Sequence, residues 1–68
     1  MEFYVEFRRK VFEKNKENWD EYLEDLIPSG AVKINSKVSR FCFFECEEDD
    51  VDDFVDNVES TGASWREN

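Results

Sequence analysis

The sequence predicts an α+β fold in which a four-stranded antiparallel sheet carries two helices on one face, in the chain order β-α-β-β-α-β. Two observations lead there. Phe3, Val5 and Phe7 alternate with Tyr4, Glu6 and Arg8, the period-two signature of a half-buried strand. Trp19, Tyr22, Leu23, Leu26 and Ile27, and later Val51, Phe54, Val55 and Val58, instead recur at helical spacing.

The first strand therefore covers Phe3 to Phe7. A polar, basic stretch with Arg9, Lys10, Lys14 and Lys16 follows and reads as a connection. The first helix starts at Asn18, an N-cap residue with Glu21 three positions on, or one turn earlier at Asn15. Pro28, Ser29 and Gly30 end it. Val32 and Ile34 alternate with Lys33 and Asn35 in a short second strand, and Asn35 to Lys37 form a tight turn. The third strand runs from Val38 to Cys46. Asp49 and Asp52 offer a capping pair for the second helix, which Gly62 stops. Ala63 to Arg66 make a short edge strand that brings Trp65 to the core. On this reading Phe3, Val5, Phe7, Cys42, Phe44 and Cys46 face the helices, while Tyr4, Arg8, Phe41 and Phe43 face away. The order of elements fits the ferredoxin-like plan, with strands one and three in the centre.

Residues 1–68 are expected to form a single domain. A hydrophobic content of 40% with 16% aromatic residues is enough for a core without staples at this length. Cys42 and Cys46 would lie about 13 Å apart along one strand, beyond disulfide reach, and read as small buried hydrophobes. With two thiols and no histidine, the chain lacks a zinc ligand set. No calcium-loop pattern accompanies the acidic residues. No cofactor and no metal is expected. No apolar run approaches the ~20 residues of a membrane span, and Met1 to Lys10 lack the order of a signal peptide. A soluble, cytoplasmic protein is the expectation.

Charge is distributed unevenly. Residues 1–40 hold eight acidic and eight basic side chains, whereas residues 41–68 hold ten acidic side chains and only Arg66, giving the net charge of −9. Asp49, Asp50, Asp52, Asp53, Asp56 and Glu59 are the candidate partner-binding residues. The helix macrodipole favours acids in a first turn by ~0.3–1 kcal/mol each, which covers Asp49 to Asp53. It leaves Asp56 and Glu59 unexplained, and the pairs Asp49/Asp53 and Asp52/Asp56 repel at four-residue spacing. Glu17, Asp20, Glu21, Glu24 and Asp25 add to the negative side from the first helix.

One reading is a solvated face that maintains solubility. The other is a docking surface for a basic protein, itself nucleic-acid-binding, on which the chain acts as a non-enzymatic inhibitor by occlusion. In size and charge the chain resembles small acidic phage proteins that block nucleases, restriction systems or CRISPR systems.

Tyr4, Arg8, Phe41 and Phe43 form a second candidate surface. Ser39 to Cys46 reads S-R-F-C-F-F-E-C, and Phe3 to Phe7 reads F-Y-V-E-F. These stretches resemble the RNA recognition motif, whose third-strand octapeptide carries a basic residue, a glycine and then aromatics at alternate positions. Ser39 and Arg40 stand where that octapeptide has its basic residue and glycine. The resemblance implies stacking of unpaired bases on Tyr4, Phe41 and Phe43, with Arg8 and Arg40 near phosphates. The same aromatics could instead be covered by a second copy in a homodimer. Net charge opposes nucleic acid, because phosphate affinity comes from Lys and Arg. Enzymatic activity is not expected: histidine is absent, and both glycines are placed as helix stops.

Overall fold

The computed structural model describes Met1–Asn68. Strand β1 (Glu2–Glu6) leads into helix α1 (Arg9–Asn15), a 3-10 turn (Lys16–Asn18) and helix α2 (Trp19–Leu26). Strands β2 (Ala31–Lys33) and β3 (Phe41–Cys46) follow, then a second 3-10 turn (Glu48–Asp50), helix α3 (Val51–Glu59) and strand β4 (Ser64–Glu67). The strands form one sheet in the order β2-β3-β1-β4, and every neighbouring pair is antiparallel. Each of the two β-α-β units thus has a strand of the other inserted between its own. Strands β1 and β3 are central, as the ferredoxin-like plan requires.

Period-two patterning decides the faces. Phe3, Val5, Phe7, Cys42, Phe44 and Cys46 are all buried on one side of the sheet. Trp19 and Leu23 from α2 and Phe54 and Val58 from α3 join them in one cluster, so both helices cover the same face. Aromatic edges organise this core. Trp19 meets Phe7 at 5.1 Å and Phe12 at 5.0 Å between ring centroids, both edge-on. Phe54 sits between Phe3 at 5.2 Å and Phe44 at 5.3 Å. The indole N–H of Trp19 is buried without a hydrogen-bond acceptor.

Several local features differ from the sequence expectation. Strand β4 runs Ser64–Glu67, and Trp65 stays 36% exposed at the sheet edge, outside the core cluster. The basic stretch after β1 is helical, because Val11 and Phe12 pack on the core and their neighbours remain in water. This helix breaks at Asn15, whose side-chain amide donates to the Val11 carbonyl at 2.9 Å, and α2 resumes after the 3-10 turn. Asn18 occupies the cap position of α2 without a side-chain cap bond.

Strand β2 is inverted relative to its apolar alternation: Ala31 is buried, whereas Val32 is 57% and Ile34 50% exposed. Pairing overrides the local pattern. Ala31 lies opposite Cys46 and Lys33 opposite Phe44, and directly opposed residues share a face. Lys33 tolerates the inner face by running its stem along the core edge to Asp20, 3.4 Å from its ammonium.

Strand β3 begins at Phe41, not at Val38. The Asn35 side-chain oxygen accepts the Phe43 N–H at 3.0 Å, replacing a ladder partner, so residues 34–40 form a loop. Helix α3 starts at Val51 with Asp50 at the cap position and no side-chain cap bond, so the Asp49/Asp52 pair does not cap it. Gly62 ends this segment at φ 80°, a conformation open to glycine. A Cβ at Gly62 would approach Arg8 Nε to 2.7 Å.

Both cysteines are free and buried. Burial pushes both thiol pKa values up, and the nearby Asp50 carboxylate raises that of Cys46 further. Unfolded thiols therefore ionise first. The stability tied to the buried thiols is intact below their ordinary pKa of about 8.5 and is lost as pH rises towards the higher folded values. Urea titrations between pH 7 and 10 should show a steeper alkaline fall in midpoint for the wild-type chain than for Cys42→Ala/Cys46→Ala. Parallel pH profiles would contradict this account.

Candidate functional site

Helix α3 turns Phe54 and Val58 fully into the core, with Val51 and Val55 at its margin. The same periodicity leaves Asp52, Asp53 and Asp56 on the outward side, with Asp49 exposed in the preceding turn. Residues 49, 52, 53 and 56 follow a helical ridge, with Cβ atoms of three- and four-residue neighbours about 5–6 Å apart. The chain has three ion pairs: the N-terminus with Glu45, Lys33 with Asp20, and Arg40 with Glu6. None of them involves an acid of α3 or of the turn before it.

Two members of the expected set stand apart. Asp50 is half-buried against Gly30, where a Cβ would collide with its carboxylate, so it belongs to the junction with β2 and not to the exposed ridge. Glu59 accepts a hydrogen bond from the Trp65 indole N–H at 3.2 Å. This bond ties the end of α3 to β4, while Phe3 holds the Trp65 ring edge-on at 5.8 Å.

Helix α2 adds exposed Asp20, Glu21, Glu24 and Asp25, of which Asp20 is paired with Lys33. Because α2 and α3 cover the same face of the sheet, their polar sides both point away from it. The basic side chains gather elsewhere. Arg9, Lys10 and Lys14 are exposed on α1, and Arg40 and Arg66 belong to the sheet side.

The open face of the sheet brings three of the expected aromatics together. Tyr4 and Phe43 are opposite each other on β1 and β3 with ring centroids 5.2 Å apart. Phe41 and Phe43 are 39% and 38% exposed, high for rings within a central strand. Arg8 is not part of this surface. It lies beyond the end of β1, where its Nε donates to the Gly62 carbonyl at 3.2 Å. Two other arginines take that place. Arg66 lies 5.0 Å from the Tyr4 ring centroid, and Arg40 lies 4.4 Å from that of Phe41. Arg40 also donates to the Phe7 carbonyl at 3.1 Å, which fixes it near the sheet. Arg66 was detectable in the sequence, because a strand that turns Trp65 inward must turn Arg66 outward.

The site therefore offers unpaired carboxylates along α3 and, on the open sheet face, cation-covered aromatic rings beside Glu2, Glu6 and Glu45, of which Glu45 pairs with the N-terminus and Glu6 with Arg40. No group of three or more His, Cys, Asp and Glu side chains is arranged to hold a metal ion. No helix is long and apolar enough to cross a membrane. Comparison with protein families, curated proteins and solved structures finds no match for this chain.

Proposed function

We propose that the chain is a non-enzymatic protein-binding module whose exposed α3 ridge docks on a basic site of another protein. The reading extends to inhibition: a partner that uses its basic site for nucleic acid would be occluded. The observation that carries it is the absence of any ion pair at Asp49, Asp52, Asp53 and Asp56, which leaves four carboxylates on one ridge available to a partner. Packing accounts for Phe54 and Val58 on this helix but places no demand on the acids opposite them. Retention of host proteins on the immobilised chain, followed across salt from 0.05 to about 0.5 M, tests it. A basic partner should be retained at low salt and released as salt rises. Retention that ignores salt, or that survives charge reversal on α3, would sink the reading.

One observation favours a second reading. Tyr4, Phe41 and Phe43 share an open face with Arg40 and Arg66, an arrangement suited to stacking unpaired bases and meeting their phosphates. The −9 charge opposes this at long range. On this second reading, a labelled single-stranded oligonucleotide should bind at micromolar protein, and Phe41→Ala or Phe43→Ala should weaken it at least tenfold. Absence of binding removes the reading. Light scattering on the same samples separates it from self-association through this face.

A further inference from the structure

The outer edge of β2 and the side of α2 border an open groove of about 660 Å³. One wall is a single helical stripe, Asp20, Leu23, Glu24 and Ile27, at i, i+3, i+4 and i+7. The other wall follows the chain past Ala31, Val32 and Lys33. The groove thus runs lengthwise beside a sheet edge.

That edge has unused backbone groups. The Gly30 carbonyl accepts from Glu47 at 3.0 Å, and the Ile34 N–H donates to Phe43 at 2.8 Å, so even-numbered residues aim at β3. Peptide groups alternate sides along a strand, and Ala31 and Lys33 therefore aim into the groove. The Ala31 N–H is taken by the Pro28 carbonyl at 3.0 Å. The Ala31 carbonyl and both backbone groups of Lys33 remain as an acceptor, a donor and an acceptor along the groove floor. Glu24 overlooks them without an ion pair, whereas Asp20 is held by Lys33.

We propose that this groove takes an extended, basic-apolar peptide segment of a partner protein as a fifth, antiparallel strand beside β2. The mode is strand addition, in which main-chain bonds give affinity and alternate side chains give selectivity. Opposed residues share a face, which sets the chemistry at each position. The residue opposite Lys33 points towards α2 and meets Leu23 and the lysine stem, so it is apolar. The residue opposite Ala31 also points towards α2 and lies near Ile27 and Glu24, so a long basic side chain fits. Residues opposite Val32 and Ile34 emerge on the open face beside those exposed side chains and are β-branched. The surface is separate from the α3 ridge, and neither proposal depends on the other.

The probe is acetyl-Thr-Val-Leu-Val-Arg-amide, titrated into the intact protein and followed by amide spectra and hydrogen exchange. Binding with a dissociation constant below about 1 mM, with slowed exchange of the Lys33 N–H, is expected. N-methylation of the peptide's Leu or Arg removes a donor aimed at β2 and should weaken binding at least tenfold. N-methylation of the Val between Leu and Arg, whose N–H points away from β2, should leave binding within about twofold. Glu24→Lys should weaken binding roughly tenfold. The Asp52→Lys/Asp53→Lys/Asp56→Lys variant should bind the peptide as the wild-type chain does, which keeps a failure here distinct from a failure of the α3 reading. No binding at millimolar peptide, equal loss for all three N-methyl isomers, or shifts confined to the Tyr4–Phe43 face overturns the proposal.

Discussion

Replacing Asp52, Asp53 and Asp56 together by Lys is expected to abolish retention of a basic partner while the chain remains folded. The substitution adds two charge units at each of three positions and takes the net charge from −9 to −3. A charge pair at 4 Å is worth about 1 kcal/mol even at the dielectric of water, and reversal converts each attraction into a repulsion of similar size. Affinity should therefore fall by at least 100-fold. The fold should survive because these side chains are exposed and make no ion pair. Losing favourable first-turn acids costs ~0.3–1 kcal/mol each, partly offset because the Asp49/Asp53 repulsion becomes an attraction, while positions 52 and 56 remain a like-charged pair. The Asn triple at the same positions should fall between the two, since it removes attraction without adding repulsion. Titration calorimetry with the retained partner and a melting curve measure the two effects separately. Full-affinity binding by the folded Lys variant contradicts the docking reading.

Phe54→Ala should unfold the protein at room temperature. Phe54 is fully buried and is the ring through which α3 grips both central strands, at Phe3 and Phe44. Truncating such a ring costs about 3–5 kcal/mol through lost transfer and the cavity left behind. A core of this size supplies about the same amount in total. Phe54→Leu retains most of the volume and should cost about half as much, leaving a folded protein with a lower urea midpoint. Circular dichroism of the two variants distinguishes the cases, and a fully folded Phe54→Ala would show that α3 is not fastened through this ring. Trp19 is a less clean probe, because Trp19→Phe removes an unpaired buried N–H along with packing area.

The elements with a strong internal period were legible in the sequence. Strand β1, the aromatic part of β3, and the apolar stripes of α2 and α3 lie where alternation and helical spacing put them. Connections and edges were less legible, because their conformations are decided by partners distant in the chain. Strand β2 shows this most clearly: Val32 and Ile34 form an apolar alternation, yet pairing of Ala31 with Cys46 turns them outward. Helix α1 carries only Val11 and Phe12 as apolar contacts among basic residues, too few for a recognisable stripe.

The candidate surfaces divide in the same way. Asp52, Asp53 and Asp56 follow from helical spacing, and Tyr4, Phe41 and Phe43 from strand parity. Asp50 departs from the ridge because the turn before α3 folds against Gly30, a contact between residues twenty apart. Arg8 leaves the sheet face because it reaches the Gly62 carbonyl, fifty-four residues away.

The exposed cations of α1, Arg9, Lys10 and Lys14, and the unpaired acids along α3 have a kinetic consequence. Opposite charges held on separate helices have a dipole component between them, and a basic target's field exerts a torque on it as well as a pull. The approaching molecule is swung round before contact, so fewer collisions arrive wrongly turned. Moving one arginine from α1 onto α3, with composition and total charge unchanged, should slow arrival more than it hastens departure.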